Sequence, residues 1–257
     1  MTTLLNAEVT GLNSLNKINI LNIPFIKTTN KRLLTYIKEE HIDKKKQAFI
    51  ITANPEIVMH ADRDPAYKKI VHSADCVVPD GIGIIYASKI LGQPLPERIA
   101  GFDLLHDFLR IAADQQKSVF LYGAKPEVIQ KAVANLKKQY PQLIIAGYED
   151  GYHSYPEQVA ERVKNTEADF VFVGTGFPRQ EQWINTYRHL FPHTIAMGVG
   201  GSFDVLSGET KRAPGIFIRL NLEWFYRLVT QPKRIGRMMA LPLFLMNVIA
   251  VRILRRS

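Results

Sequence analysis

The 257-residue sequence has one cysteine, Cys76, so no internal disulfide and no cysteine cage for a metal can be built within a single chain. Cys76 opens the apolar run Cys76-Val77-Val78, where a thiol reads as a small buried hydrophobe, and its solitude fits a reducing compartment. Long hydrophobic runs are missing too. The longest, residues 238–251, is interrupted by Pro242 and Asn247 and falls short of the ~18–20 apolar residues a spanning helix needs. The first twenty residues lack a basic stretch followed by a continuous apolar one, so no signal peptide is read. The seven histidines show no ligand spacing, and no G-x-x-x-x-G-K-[ST] occurs, which excludes a P-loop. Gly81-Ile82-Gly83 and Gly198-Val199-Gly200 each lack the third glycine of a dinucleotide fingerprint, Tyr86 and Phe203 standing in its place. A nucleotide-dependent oxidoreductase is therefore a weak reading. Asp62-Arg63-Asp64 has the D-x-D form of a metal-diphosphate site, but it lies in a helical segment before Pro65 and reads as a solvated helix end. No cofactor and no metal site is expected.

What is present is an ordinary globular composition, 46% hydrophobic and 22% charged, in a chain long enough for a self-sufficient core. Its charge of +9 is uneven: residues 219–257 hold eight basic residues against one acid, Glu223, for a net +7. A nucleic-acid binder would spread positive charge across a folded face, so no nucleic-acid partner is expected.

From Lys17 onward short β-branched runs alternate with helical patterns, which predicts an α/β fold: a Rossmann-like, mostly parallel sheet with helices on both faces. Strands are predicted over residues 18–21, 48–52, 76–78, 119–122, 144–147, 170–173 and 194–197. The clearest helical patterns cover 55–61, 82–91, 102–115, 126–140, 156–164 and 179–190. Three regions follow: an extension over 1–16, the α/β body over 17–218 and a basic, apolar helical appendage over 219–257.

Five strand ends run into glycine-rich or polar turns: Thr52-Ala53-Asn54-Pro55, Pro79-Asp80-Gly81, Gly123-Ala124-Lys125, Gly174-Thr175-Gly176 and Gly198-Val199-Gly200-Gly201. In an open α/β sheet such turns share the C-terminal edge, where ligands bind. Glycines let backbone amides approach a phosphate, and the helix N-termini behind them favour negative charge. Glycine is also simply common in tight turns, but five on one edge point to a nucleotide or sugar-nucleotide crevice. Asp80 places a lone carboxylate at its mouth, suited to general-base work on an alcohol or, equally on local sequence, to capping the next helix.

These segments, with residues 52–58, 74–83 and 98–104, then 174–181 and 198–204, resemble the WecG/TagA/CpsF glycosyltransferases in the same order, over roughly residues 17–240. The resemblance implies an inverting, metal-independent transfer of N-acetylmannosamine from a UDP-sugar donor to a polyprenyl-diphosphate-linked N-acetylglucosamine, a step in wall teichoic acid synthesis. Relatives using another UDP-sugar, such as the uronic acid, share the motifs. On this reading Asp80 is the base and Thr52 and Asn54 position the sugars. Arg98 and Gln180 would bind donor or acceptor oxygens, although both also suit ordinary helix-end polarity. Gly200, Gly201 and Asp204 would face the UDP, with Tyr152 packing on the nucleoside. Phe102 departs from the small polar residue expected beside Asp103.

Without a metal, something must neutralise the departing diphosphate, and arginine binds phosphate bidentately. Arg227, Arg234 and Arg237, spaced seven and three apart, would share a helix face if Pro232 did not interrupt it, and the resemblance points to the same basic appendage. Leu222, Trp224, Phe225, Leu241 and Phe244 lie among them, a mixture that fits an interfacial helix on an anionic membrane surface. A core helix with a solvated basic end, or a contact between copies in a homo-oligomer, would carry the same pattern. The expected place is the cytoplasmic, inner face of a cell membrane.

Overall fold

The computed structural model describes residues 15–152, 155–230 and 240–254. At its centre are six parallel strands: β3 (Ala48–Ala53), β4 (Cys76–Pro79), β5 (Ser118–Gly123), β6 (Ile144–Glu149), β7 (Phe170–Gly174) and β8 (Ile195–Gly198). They lie in the order β4-β3-β8-β7-β5-β6. Six of the predicted strands are these, within two residues at each end. The seventh is not part of the sheet. Residues 18–20 of it belong to β1 (Lys17–Ile20), which pairs antiparallel with β2 (Ile23–Ile26) in a separate hairpin. Leu21 and Asn22 turn it with φ of 47° and 66°, the left-handed pair that matches strand twist in a two-residue loop. Pro24 in β2 marks it as a short, non-central strand.

Alternate side chains of each strand serve opposite faces. Phe49 and Ile51 of β3, with Val171 and Val173 of β7, join one core. It is covered by α2 (Pro55–Arg63), α3 (Pro65–His72), α4 (Ile82–Ile90), α7 (Pro156–Thr166), α8 (Arg179–Tyr187) and the hairpin. Ile50, Phe170 and Phe172 point into the other core, under α1 (Asn30–Ile37), α5 (Gly101–Asp114), α6 (Pro126–Gln139) and α9 (Ser202–Leu206). The helices therefore form both outer layers. Asp64 shows why the D-x-D segment ends a helix: its carboxylate accepts from the amides of Ala66 and Tyr67 at 2.9 and 3.0 Å, closing α2 and capping α3.

After the sheet come α10 (Gly215–Arg219), α11 (Glu223–Thr230) and α12 (Ala240–Leu254). α12 packs on α2 and α4, burying Phe244 and Val248, one turn apart. Its other side exposes Leu243, Met246, Ile249 and Ile253, and α10 and α11 expose Ile216, Leu220, Phe225 and Val229. No helix among the described residues is long and apolar enough to cross a membrane.

Candidate active site

The five turns line one crevice of about 590 Å³ along the C-terminal edge of the sheet. Thr52 and Asn54 enter from β3, Asp80 from β4, Ala124 and Lys125 from β5, Thr175 and Gly176 from β7, and residues 198–202 with Asp204 from β8. Arg98, Phe102, Lys211 and Arg212 complete the wall, and Glu223, Trp224 and Leu241 bring the C-terminal helices to its rim.

Asp80 is partly exposed, and one of its carboxylate oxygens receives the amide of Gly101 at 3.4 Å, at the start of α5. Its other oxygen lies 4.0 Å from Nε of Arg98. Asp80 does not cap α4, whose N-cap is Gly81. Arg98 makes its tighter contact elsewhere: Nη2 donates to Oε2 of Glu223 at 2.9 Å, both side chains being nearly buried. The one acid of the basic tail thus reaches the guanidinium that faces Asp80.

Asn54 has a structural commitment. Its side-chain oxygen accepts from Ile57 N at 3.0 Å and caps α2, so its amide NH2 is what it can offer a ligand. Gln180 is buried, and both ends of its carboxamide are used by the protein. Oε1 accepts from Gly200 N at 2.9 Å, and Nε2 donates to Glu181 Oε1 at 2.6 Å. It shapes the crevice by holding the loop after β8. Gly200 has φ at +52°, a left-handed conformation that glycine adopts without steric cost, and there is open space where a Cβ would stand. Asp204 lies in the first turn of α9 and lines the crevice beside Gly201, while Tyr152 stands exposed at the far rim. Of the tail arginines, Arg227 belongs to α11 by its backbone, and Arg234 and Arg237 lie outside the described residues.

Sequence reasoning passed over four cations of this wall: Lys125, Arg179, Lys211 and Arg212. Arg212 bridges Asp103 at 2.7 Å and lies 4.8 Å over the Phe102 ring, so the unexpected phenylalanine gives this arginine a cation–π seat. Burial works against its charge, but the Asp103 carboxylate more than offsets that and raises its pKa. Each of these basic residues follows or adjoins a glycine turn or a short helix, which is the signal that could have found them. Among the described residues no three His, Cys, Asp or Glu side chains converge as metal ligands.

A carboxylate, glycine turns and several cations share one crevice at the C-terminal edge of a parallel sheet, the place where α/β enzymes bind their ligands. The model of the glycosyl transferase WecG/TagA/CpsF family matches residues 18–257, and the chain belongs to that family. Among curated proteins it is 44% identical over 230 residues to the N-acetylglucosaminyldiphosphoundecaprenol N-acetyl-beta-D-mannosaminyltransferase of Bacillus spizizenii, covering 90% of each chain. The protein of that name from Bacillus subtilis is 43% identical over the same shares. That from Staphylococcus aureus is 41% identical over 90% of this chain and 92% of its own.

Proposed function

We propose that this chain transfers N-acetylmannosamine from its UDP donor to N-acetylglucosaminyl-diphospho-undecaprenol, inverting the anomeric centre without a metal ion. The observation that carries this reading is Asp80, whose partly exposed carboxylate lines the same crevice as the loop of Gly200 and Gly201. Asp80 takes the proton of the acceptor hydroxyl as its oxygen bonds to the anomeric carbon. The bond from that carbon to the β-phosphate oxygen breaks, and UDP leaves with the electron pair. Thr52 and the Asn54 amide orient the sugars, and Gly200, Gly201, Asp204 and Tyr152 receive the nucleotide. Gln180 acts through the loop it holds, and Arg98 through its place between Asp80 and Glu223.

Charge on the leaving diphosphate is met by Arg227, Arg234 and Arg237 of the tail, together with Lys211 and Arg212 of the wall. Their guanidinium and ammonium groups stabilise charge that develops only as the bond breaks. The acceptor's polyprenyl chain resides in a bilayer, so the crevice must open at its surface. The exposed apolar sides of α10, α11 and α12 support a tail lying in the headgroup plane on the inner, cytoplasmic face of the membrane. Residues 17–218 then form the catalytic body and 219–257 the membrane-facing appendage.

The test is a transfer assay with a panel of UDP-sugars and a lipid-diphosphate N-acetylglucosamine acceptor, run with and without EDTA. UDP-N-acetylmannosamine should be turned over best, with EDTA making no difference. Preference for the uronic acid donor would change the substrate, and EDTA inhibition reversed by Mg²⁺ or Mn²⁺ would sink the metal-free chemistry.

A further inference from the structure

Behind the crevice wall, in the first turn of α8, lies a carboxyl group that the proposed reaction does not use. Glu181 is 1% exposed, and burial pushes its pKa up to about 7, with the Gln180 hydrogen bond opposing that rise. Tyr67 of α3 faces it, its own pKa raised by burial and by this neighbour. Around them the rings of His60, Tyr67 and Phe177 pack edge-on, with centroids 5.0–5.3 Å apart. A buried carboxyl is costly, and an apolar residue would fill this space more cheaply.

What Glu181 supplies is direction. A carboxamide can present either end to a neighbour, and the two ends of Gln180 have opposite hydrogen-bonding character. The acceptor oxygen of Glu181 draws the NH2 end to itself at 2.6 Å, leaving the oxygen end for the Gly200 amide at 2.9 Å. Gln180 lies so tightly across the end of β8 that a Cβ on Gly198 would stand 2.5 Å from its Nε2. The side chain is held from below by close packing and from behind by one acceptor.

We propose that Glu181 is a positioning residue for the donor side of the crevice: it fixes the carboxamide of Gln180 so that Gln180 holds the Gly200 loop in its ligand-receiving turn. The inference rests on assigning that loop to the nucleotide. It predicts that Glu181 governs donor affinity rather than the chemical step.

The experiment uses the full chain with UDP as probe, and reads amide hydrogen exchange at Gly200 alongside UDP affinity. Glu181→Met keeps the shape and removes the acceptor. It should speed Gly200 exchange and weaken UDP binding about tenfold, the scale of one orienting hydrogen bond. In turnover the same variant should raise donor KM with kcat within about twofold. Glu181→Gln, which retains an acceptor oxygen, should recover most of the affinity. Adding Glu181→Met to Gln180→Met should change nothing further, because the relay is already cut. Unchanged exchange in Glu181→Met, faster exchange with unchanged UDP affinity, or fully additive effects would each overturn the proposal. If Glu181→Met fails to fold, Gln180→Met alone decides: wild-type exchange and affinity in that variant overturn it. Failure of UDP to bind the unaltered chain would strike the nucleotide assignment instead, and the relay would then stand or fall on Gly200 exchange.

Discussion

The sheet body and the C-terminal helices solve the burial problem differently. In the body, most large apolar side chains go to one of two cores, and the crevice is shared by glycine, polar and charged residues with a few apolar ones such as Ile57, Phe102 and Val199. Among the described residues of the C-terminal segment, Phe244 and Val248 of α12 are the buried apolar side chains, while Ile216, Leu220, Val229, Met246, Ile253 and Leu254 stand well exposed. A segment with one face docked and one apolar face turned outward is incomplete alone in water. The difference teaches that the body closes its own cores, whereas the described part of the C-terminal segment docks by one side and leaves apolar side chains on the other.

Cutting the two regions apart should have the largest effect. A chain ending at residue 218 should lose vesicle binding and all measurable transfer, yet unfold cooperatively at a lowered temperature, because the cover of Phe244 and Val248 is gone. Retained transfer would make the tail dispensable to the site. Next in size is Asp80→Asn, expected to cost about 10²–10⁴ in kcat while UDP affinity stays near that of the unaltered chain. Near-normal turnover would remove Asp80 as the base.

At the joint itself, Glu223→Ala leaves Arg98 without its 2.9 Å partner. Loss of such a nearly buried pair should weaken docking of α11 by about 2–3 kcal/mol, seen as faster proteolysis of residues 219–230 and a lower kcat. Equal proteolysis rates would show that the pair contributes nothing to docking.

A last effect belongs to the body alone and is read by pH. The Glu181 carboxyl titrates at about 7 in the folded chain, against an ordinary value of 4.5. Between those values the folded state holds the proton that the unfolded state has lost, so stability falls as pH rises through this window and levels off above it. The change is at most about 3 kcal/mol. Glu181→Gln should flatten it, measured as the urea midpoint from pH 4.5 to 8, and an unaltered slope would show that another group is responsible.

The sheet was legible because each of its strands is a short apolar run ending at a turn residue, a pattern carried by neighbours in sequence. The hairpin was not. Its second strand is four residues containing Pro24, and the turn between the strands is the unremarkable pair Leu21-Asn22. In the crevice, Thr52, Asp80 and the glycine turns could be placed from strand ends alone. The contact of Arg98 with Glu223 could not, since 125 residues separate them and nothing local demands the pair. Glu181 was hidden differently. Acids are ordinary in the first turn of a helix, where they favour the dipole. Yet Gln180 and Glu181 share the buried side of α8 with Trp183 and Ile184, and two polar residues at that spacing on an apolar stripe were the available sign.

The position of β8 has a consequence for how the protein comes into being. β8 is the last strand of the sheet to be made, but it stands between β3 and β7. A chain emerging from the ribosome can pair β3 with β4, and β5 with β6 and β7, but these are two pieces with open edges until residues 195–198 arrive. Such edges are the places where unfinished chains stick to one another. The turn bearing Asp80 lies on one piece and that bearing Gly176 on the other. A product stopped before β8 would therefore lack the strand that joins the two halves of the crevice.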